Sequence, residues 1–245
     1  MPRSCRVLAL QHVVCEHPGV FRDFLAADGH ELVQVELDEH EPIPDVDDFD
    51  AMLVMGGPMD VWQEDELPWL KDEKAAIRRF VAELDRPFLG FCLGHQLLAS
   101  ALGGEVGPSR ASEIGIMPVQ LTPDGGAHPA FAGFPEAFEV LQWHSSEVTE
   151  APAGATLLAS SPVTGNQAMA LGDRALSVQF HLEITATTVS DWAALPGYQK
   201  ALTEVFGADG PAALEQDSAA RMAGFNAGAR RLYDNWCARS GLGRP

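Results

Sequence analysis

One cysteine in this chain stands apart from the other three. Cys92 lies in Gly90-Phe91-Cys92-Leu93-Gly94-His95-Gln96, between the apolar run Pro87-Phe88-Leu89 and a helical pattern of Leu97, Leu98, Ala101 and Leu102 that stops at Gly103-Gly104. The spacing predicts a sharp turn from strand to helix with the thiol at its apex. Glycines two residues before and after the cysteine allow strand and helix to approach closely. The N-terminus of a helix behind a thiol supplies unpaired N–H groups and partial positive charge, which favour a thiolate and can hold an oxyanion. This pattern fits nucleophilic chemistry at a carbonyl. Cys5, Cys15 and Cys237 have no such setting and read as small buried hydrophobes.

A nucleophilic cysteine needs a base and an orienting group, which need not be near it in sequence. Of the eight histidines, His12, His17, His30, His40 and His128 lie among turn or loop residues and read as solvated or structural. His95 follows Cys92 by three residues in the helix and is expected to point away from the thiol. Two candidates remain. His181 ends the strand-like run Ala175–Phe180 and is followed at i+2 by Glu183, which an extended chain places on the same side. An acid there would fix the imidazole tautomer and stabilise the imidazolium. His144, in Gln142-Trp143-His144-Ser145-Ser146, is the competing candidate, either as a participant in the chemistry or as a loop histidine lining a pocket.

The elements that must carry these residues alternate in the first hundred positions. Strands are expected at 6–14, 31–36, 51–55 and 87–91, with helices at 20–27 and 68–84. The run 51–55 is apolar throughout, as in a strand buried on both faces. This order implies a parallel sheet with helices on both faces, an α/β fold whose sites lie at the carboxyl ends of strands. Between 113 and 180 the apolar runs 114–121, 138–141, 155–159, 167–171 and 175–180 read as mostly antiparallel strands that return His181 toward Cys92. Helices follow at 185–194, 198–206 and 217–239, with Gly207 and Pro211 as breaks. The last carries Met222, Phe225, Ala229, Leu232, Tyr233 and Trp236 on one side, a stripe that must be buried.

Cys92, His181 and Glu183 in this order, with Gly90-x-Cys92-x-Gly94-x-Gln96, resemble the class I (triad-type) glutamine amidotransferases. Met55-Gly56-Gly57-Pro58 is similar to that family's oxyanion loop, Trp143-His144-Ser145 to the segment that closes over bound glutamine, and Phe180-His181-Leu182-Glu183 to its base-and-acid segment. The resemblance spans residues 5–185. It implies an open, mostly parallel, flavodoxin-like sheet flanked by helices, with a C-terminal helical extension. The expected division is an amidotransferase domain at 1–184 and an extension at 185–245 packed on the same domain. It further implies that Cys92 attacks the glutamine side-chain amide, His181 carries protons and Glu183 orients it. The N–H groups of Gly57 and Leu93 would hold the oxyanion, and Gln96, Trp143, His144 and Ser145 would contact substrate. Leu182 stands where the family usually has proline, which would stiffen the turn. The stretch 60–65, Asp-Val-Trp-Gln-Glu-Asp, and Trp69 resemble stand-alone relatives of the glutaminase domain of GMP synthase, some of whose relatives are γ-glutamyl peptidases.

Composition narrows the alternatives. The formal net charge of −19 over 245 residues disfavours nucleic acid and anionic membranes as partners. Four irregularly spaced cysteines argue against a disulfide framework or zinc site. No cofactor or metal is expected. No run reaches the roughly 18 apolar residues of a membrane helix, and the first apolar stretch is broken by Gln11 and His12, so a cytoplasmic location is expected. With no Walker-type phosphate loop, an ATP-using synthase would be a separate subunit. The leading expectation is a cysteine hydrolase releasing ammonia from glutamine. The alternatives are a γ-glutamyl peptidase using the same triad, with Trp62 or Trp143 flooring its groove, and a non-catalytic regulatory module.

Overall fold

Four short runs of apolar residues form the centre of the molecule because they have apolar neighbours on both faces. The computed structural model describes residues 4–207 and 209–242. Its strands are β1 (Arg6–Gln11), β2 (Glu31–Glu36), β3 (Ala51–Val54), β4 (Phe88–Phe91), β5 (Glu105–Leu121), β6 (Ala137–Glu150), β7 (Ala155–Ser160), β8 (Ala168–Leu171) and β9 (Ala175–Val178). They join in one nine-stranded mixed sheet, in the order β2-β1-β3-β4-β9-β8-β7-β5-β6. From β2 to β9 the pairing is parallel, and from β9 to β6 it is antiparallel.

The period of two sorts each central strand between two cores. Val7, Ala9, Ala51, Leu53, Leu89 and Phe91 face one core; Leu8, Leu10, Met52, Val54 and Phe88 face the other. Helices α1 (Phe21–Ala27), α5 (Thr188–Ala193), α6 (Pro196–Phe206) and α7 (Gly210–Ser240) cover the first face, while α2 (Trp69–Arg78) and α3 (Leu93–Ala101) cover the second. A short α4 (Pro123–Ala127) follows β5.

Several elements differ in extent from the sequence-based expectation. β5 begins nine residues before Ile114, because its half-exposed Gly- and Pro-containing part pairs with β6 across register shifts at Glu105/Val106 and Pro108/Glu113. β6 runs to Glu150, so His144 sits in a strand opposite Glu113 and is not a loop histidine. The helix expected at 68–84 ends as α2 at Arg78 and closes in a wider π-type turn at Arg79–Glu83. Pro211 starts α7 and does not break the chain there, since a first-turn proline gives up an N–H that would be unpaired anyway. Phe225, Ala229, Leu232, Tyr233 and Trp236 are all at most 2% exposed, packed in the core that α7 shares with α1 and the sheet. Among the described residues no helix is long and apolar enough to cross a membrane.

Candidate active site

The parallel strands end on one side of the sheet, and four of their carboxyl ends carry the candidate residues. Cys92 follows β4, Gly56 and Gly57 follow β3, His181 follows β9, and His12 and Glu16 follow β1. The switch in strand order falls between β1 and β3, the place where open α/β sheets leave a crevice.

Cys92 is the hinge between β4 and α3, with φ 50° and ψ −104°, a conformation that costs a non-glycine residue free energy. Local packing imposes it. Cys92 N–H donates to the Val178 carbonyl of β9 at 2.9 Å, and Gly94 N–H donates to the Met55 carbonyl at 3.0 Å. A Cβ on Gly94 would overlap the Val54 carbonyl, and one on Gly90 would lie 2.7 Å from the Gly94 carbonyl oxygen. Both glycines therefore let α3 start directly against β3 and β4.

The first turn of α3 then distributes its N–H groups unevenly. Gly94 donates to Met55, while His95 and Gln96 both donate to the Cys92 carbonyl, at 3.0 and 3.2 Å. Leu93 N–H has no acceptor among the described residues, and neither does Gly57 N–H. Gly57, Cys92 and Gln96 border the same cavity. Two unspent backbone donors thus lie beside one thiol.

His181 is fixed from both sides. Its backbone exchanges hydrogen bonds with Leu141, and its Nδ1 lies 2.6 Å from Glu183 Oε1, both side chains being almost fully buried. The Nδ1–H···carboxylate bond leaves Nε2 for the thiol. Glu183 is held in turn: its Oε2 accepts the Leu182 N–H at 3.0 Å, a bond proline could not make. Leu182 thus replaces the stiffness of a proline with a donor. Its side chain is buried against Gly228 of α7. Burial works against charge on both members of the Cys92–His181 pair. For His181, burial lowers the pKa, but Glu183 and Cys92 together outweigh it and raise the pKa well above 6.5. For Cys92, burial pushes the thiol up, and the His181 imidazole draws it back.

Two contributors escaped the reading of the sequence. Gln179 Nε2 donates to Cys92 Sγ at 3.5 Å, and Gln179 Oε1 accepts from Gln96 Nε2 at 3.0 Å. Alternation along 179, 181 and 183 was the available signal. Gln96 spends its amide hydrogens on Gln179 and on the Ser146 carbonyl, so it props Gln179 as well as bordering the cavity. Glu16 has no local signal. It is buried beside Gly56 and His181 and accepts a hydrogen bond from Tyr198 OH of α6. Burial pushes its carboxyl up, and His181 and Tyr198 pull it back.

The cavity measures about 400 Å³, within the range of small-molecule sites (roughly 300–1,000 Å³). Trp143, His144 and exposed Ser145 come to it from β6. Tyr198, Ala201 and Glu204 of α6 form a further wall. His144 does not reach the thiol as a base: its Nδ1 faces the Ser146 carbonyl at 3.0 Å and its Nε2 lies 3.4 Å from Glu113. Trp62 is 47% exposed and does not border the cavity.

His95 does point away from the thiol. Its Nδ1 meets Ser177 Oγ at 2.8 Å, and burial drives its pKa down from 6.5 to about 3. The unfolded chain therefore takes up a proton that the folded state refuses. That contribution to stability is fully present above pH 6.5 and falls as pH drops, by about 1.4 kcal/mol per pH unit until the folded pKa is reached. Urea unfolding between pH 6.5 and 4.5 is expected to show that extra slope in the parent chain and not in His95→Asn.

Known proteins resemble this chain in sequence and fold. The family described as "Glutamine amidotransferase class-I" matches residues 22–191. One of the subunits of a glutamine-hydrolyzing GMP synthase, from Saccharolobus solfataricus, is 34% identical over 149 residues, 60% of this chain and 74% of that protein. The glutamine amidotransferase-like protein YfeJ of Salmonella typhimurium is 31% identical over 188 residues, covering 75% of this chain and 78% of its own. A crystal structure of a glutamine amidotransferase from Thermotoga maritima superposes with a TM-score of 0.85 at 28% identity, covering 96% of this chain and 98% of the other.

Proposed function

Because the chain belongs to the class I glutamine amidotransferase family, we propose that it is a cysteine hydrolase that cleaves the side-chain amide of glutamine and releases ammonia. The observation that carries this reading is the pairing of a thiol with a buried His181–Glu183 dyad on one side and two unspent N–H groups on the other. Cys92 Sγ adds to the amide carbon, and the charge that gathers on the carbonyl oxygen falls to Gly57 and Leu93 N–H. His181 hands the thiol proton to the departing nitrogen as the C–N bond breaks, leaving a thioester. Water, deprotonated by His181, adds to the thioester through a second oxyanion, and the C–S bond breaks to give glutamate and the thiol. Each oxyanion donor in such a site contributes about 3 kcal/mol to the transition state. Ser145 and Trp143 would contact the amino-acid end of the substrate, and Gln96 would hold Gln179 against the sulfur.

Likeness to one component of a multi-subunit GMP synthase supports a separate synthase chain that accepts the ammonia. A second reading, γ-glutamyl amide hydrolysis with a larger leaving group, draws on the wall of α6. Ala201 and Glu204 line the same cavity of about 400 Å³ as Cys92, a volume with room for a group larger than ammonia. The deciding assay is ammonia release from glutamine, with glutathione in parallel and Cys92→Ala as control. Cys92-dependent ammonia is the expected result. Cleavage of glutathione alone would move the assignment to the second reading. Ammonia release by Cys92→Ala would end both. A thiol alkylated no faster than Cys5 or Cys15, with neither substrate turned over, would leave a regulatory module.

A further inference from the structure

We propose that His12, held by Glu73, is a positioning residue for the oxyanion site: it fixes the plane of the Gly56–Gly57 peptide so that the Gly57 N–H stays turned into the cavity. The inference rests on the reading of Gly57 given above.

A trans peptide points its C=O and N–H in opposite directions. Holding the Gly56 carbonyl on one side therefore aims the Gly57 N–H to the other. Two successive glycines are also the pair whose shared peptide turns over most freely. The first glycine is forced by crowding, because a Cβ on Gly56 would overlap Glu16 Oε2 and lie 3.2 Å from His181 Cε1. Freedom at this peptide is thus the consequence of packing the acid and the base close by. If the peptide turned over, a carbonyl oxygen would face the developing oxyanion and repel it.

One side chain opposes that motion. His12 Nδ1–H donates to the Gly56 carbonyl at 2.9 Å, and its Nε2 meets Glu73 Oε1 at 2.9 Å. Neither side chain has any exposure to solvent. The imidazole stacks on Trp69, with centroids 5.7 Å apart and planes at 22°. Glu73 and Trp69 both belong to α2, so the ring is gripped by one helix and grips one peptide. Burial lowers the pKa of the ring, but Glu73, the Gly56 carbonyl and Glu16 together outweigh it and raise the pKa above its ordinary value. His12 is also turned away from the sulfur chemistry, since both of its nitrogens are occupied.

The test separates this role from mere packing. His12→Phe with Glu73→Met replaces both buried partners with apolar groups of similar shape and leaves no orphaned charge. It is expected to fold, to keep KM for glutamine and the rate of Cys92 alkylation by iodoacetamide within about threefold, and to lower kcat by about 10²–10³-fold, the loss typical of one oxyanion donor. His12→Asn combined with Glu73→Met keeps a donor at the place of Nδ1, strands no buried carboxylate, and is expected to recover most of that kcat. Unchanged kcat in the folded His12→Phe double variant overturns the proposal, as does the His12→Asn double variant falling equally far, or alkylation falling in step with kcat. Should the parent protein fail to turn over glutamine, the proposed function fails separately. The crystal structure of the His12→Phe double variant then decides: a Gly56–Gly57 peptide turned over supports the role of His12, and an unmoved one overturns it.

Discussion

Glu183→Gln is expected to fold normally and to lower kcat for glutamine by about 10⁴-fold, the loss seen when the acid of a Ser-His-Asp triad becomes an amide. Glu183 serves two donors at once, His181 Nδ1 at 2.6 Å and Leu182 N–H at 3.0 Å. Glutamine brings one oxygen and one NH₂ group. If its oxygen keeps the Leu182 bond, its NH₂ faces Nδ1, and the imidazole must move its proton to Nε2, the nitrogen that should receive the thiol proton. The charge that raises the pKa of His181 is lost as well. The sign of the pH effect follows. A histidine with a raised folded pKa contributes stability that is fully present below pH 6.5 and disappears as pH rises through the folded value. The difference in stability between parent and variant should therefore be largest in acid and shrink toward alkaline pH. Steady-state rates and urea unfolding at several pH values read both effects. A kcat within tenfold of the parent would remove Glu183 from the assigned role.

Gly94→Ala is expected to cost at least about 3 kcal/mol, the upper part of the range for overpacking. The added carbon would meet the Val54 carbonyl, a backbone atom inside β3, and no rotamer change relieves that. Withdrawal of α3 would break the bond from Gly94 N–H to Met55 and carry Leu93 N–H away from Gly57. Gly126→Ala is the control. It lies in α4 without a positive φ and with nothing within 4 Å of the added carbon, so it should be neutral or stabilise by up to about 1 kcal/mol. Urea midpoints of the two variants make the comparison. Equal stabilities would show that the elbow accepts a side chain at position 94.

What could be read from the sequence is what local pattern encodes. The continuous apolar runs at Ala51–Val54 and Phe88–Phe91 announce strands buried on both faces, and Gly90 and Gly94 mark the elbow because they flank one cysteine symmetrically. The seat of His144 in β6 was not readable, because it follows from pairing with a strand whose Glu105–Glu113 half is polar and partly exposed. His12 looked like a loop histidine, and its partner Glu73 is 61 residues away on a helix face. The bond from Tyr198 to Glu16 spans 182 residues and has no local trace. Pro211 carried an ambiguous signal, since a proline that would break a helix interior is welcome in its first turn.

The spacing of thiol and imidazole has a source of its own. β4 and β9 are adjacent parallel strands, paired up to Phe91 and Val178, and Cys92 and His181 follow those residues by one and three positions. Their separation is therefore set by the interval between neighbouring strands, about 4.8 Å in any sheet, and not by the 83 residues of chain that run from Cys92 to the start of β9. Loops within that stretch can lengthen or shorten over evolution without disturbing the pair, provided that β6 still brings Leu141 to the His181 backbone. The stretch also makes the pair a long-range contact, which forms slowly. A ribosome-bound chain that has emerged only through α3 carries its thiol without the imidazole, and the candidate site is assembled only when the last strand docks.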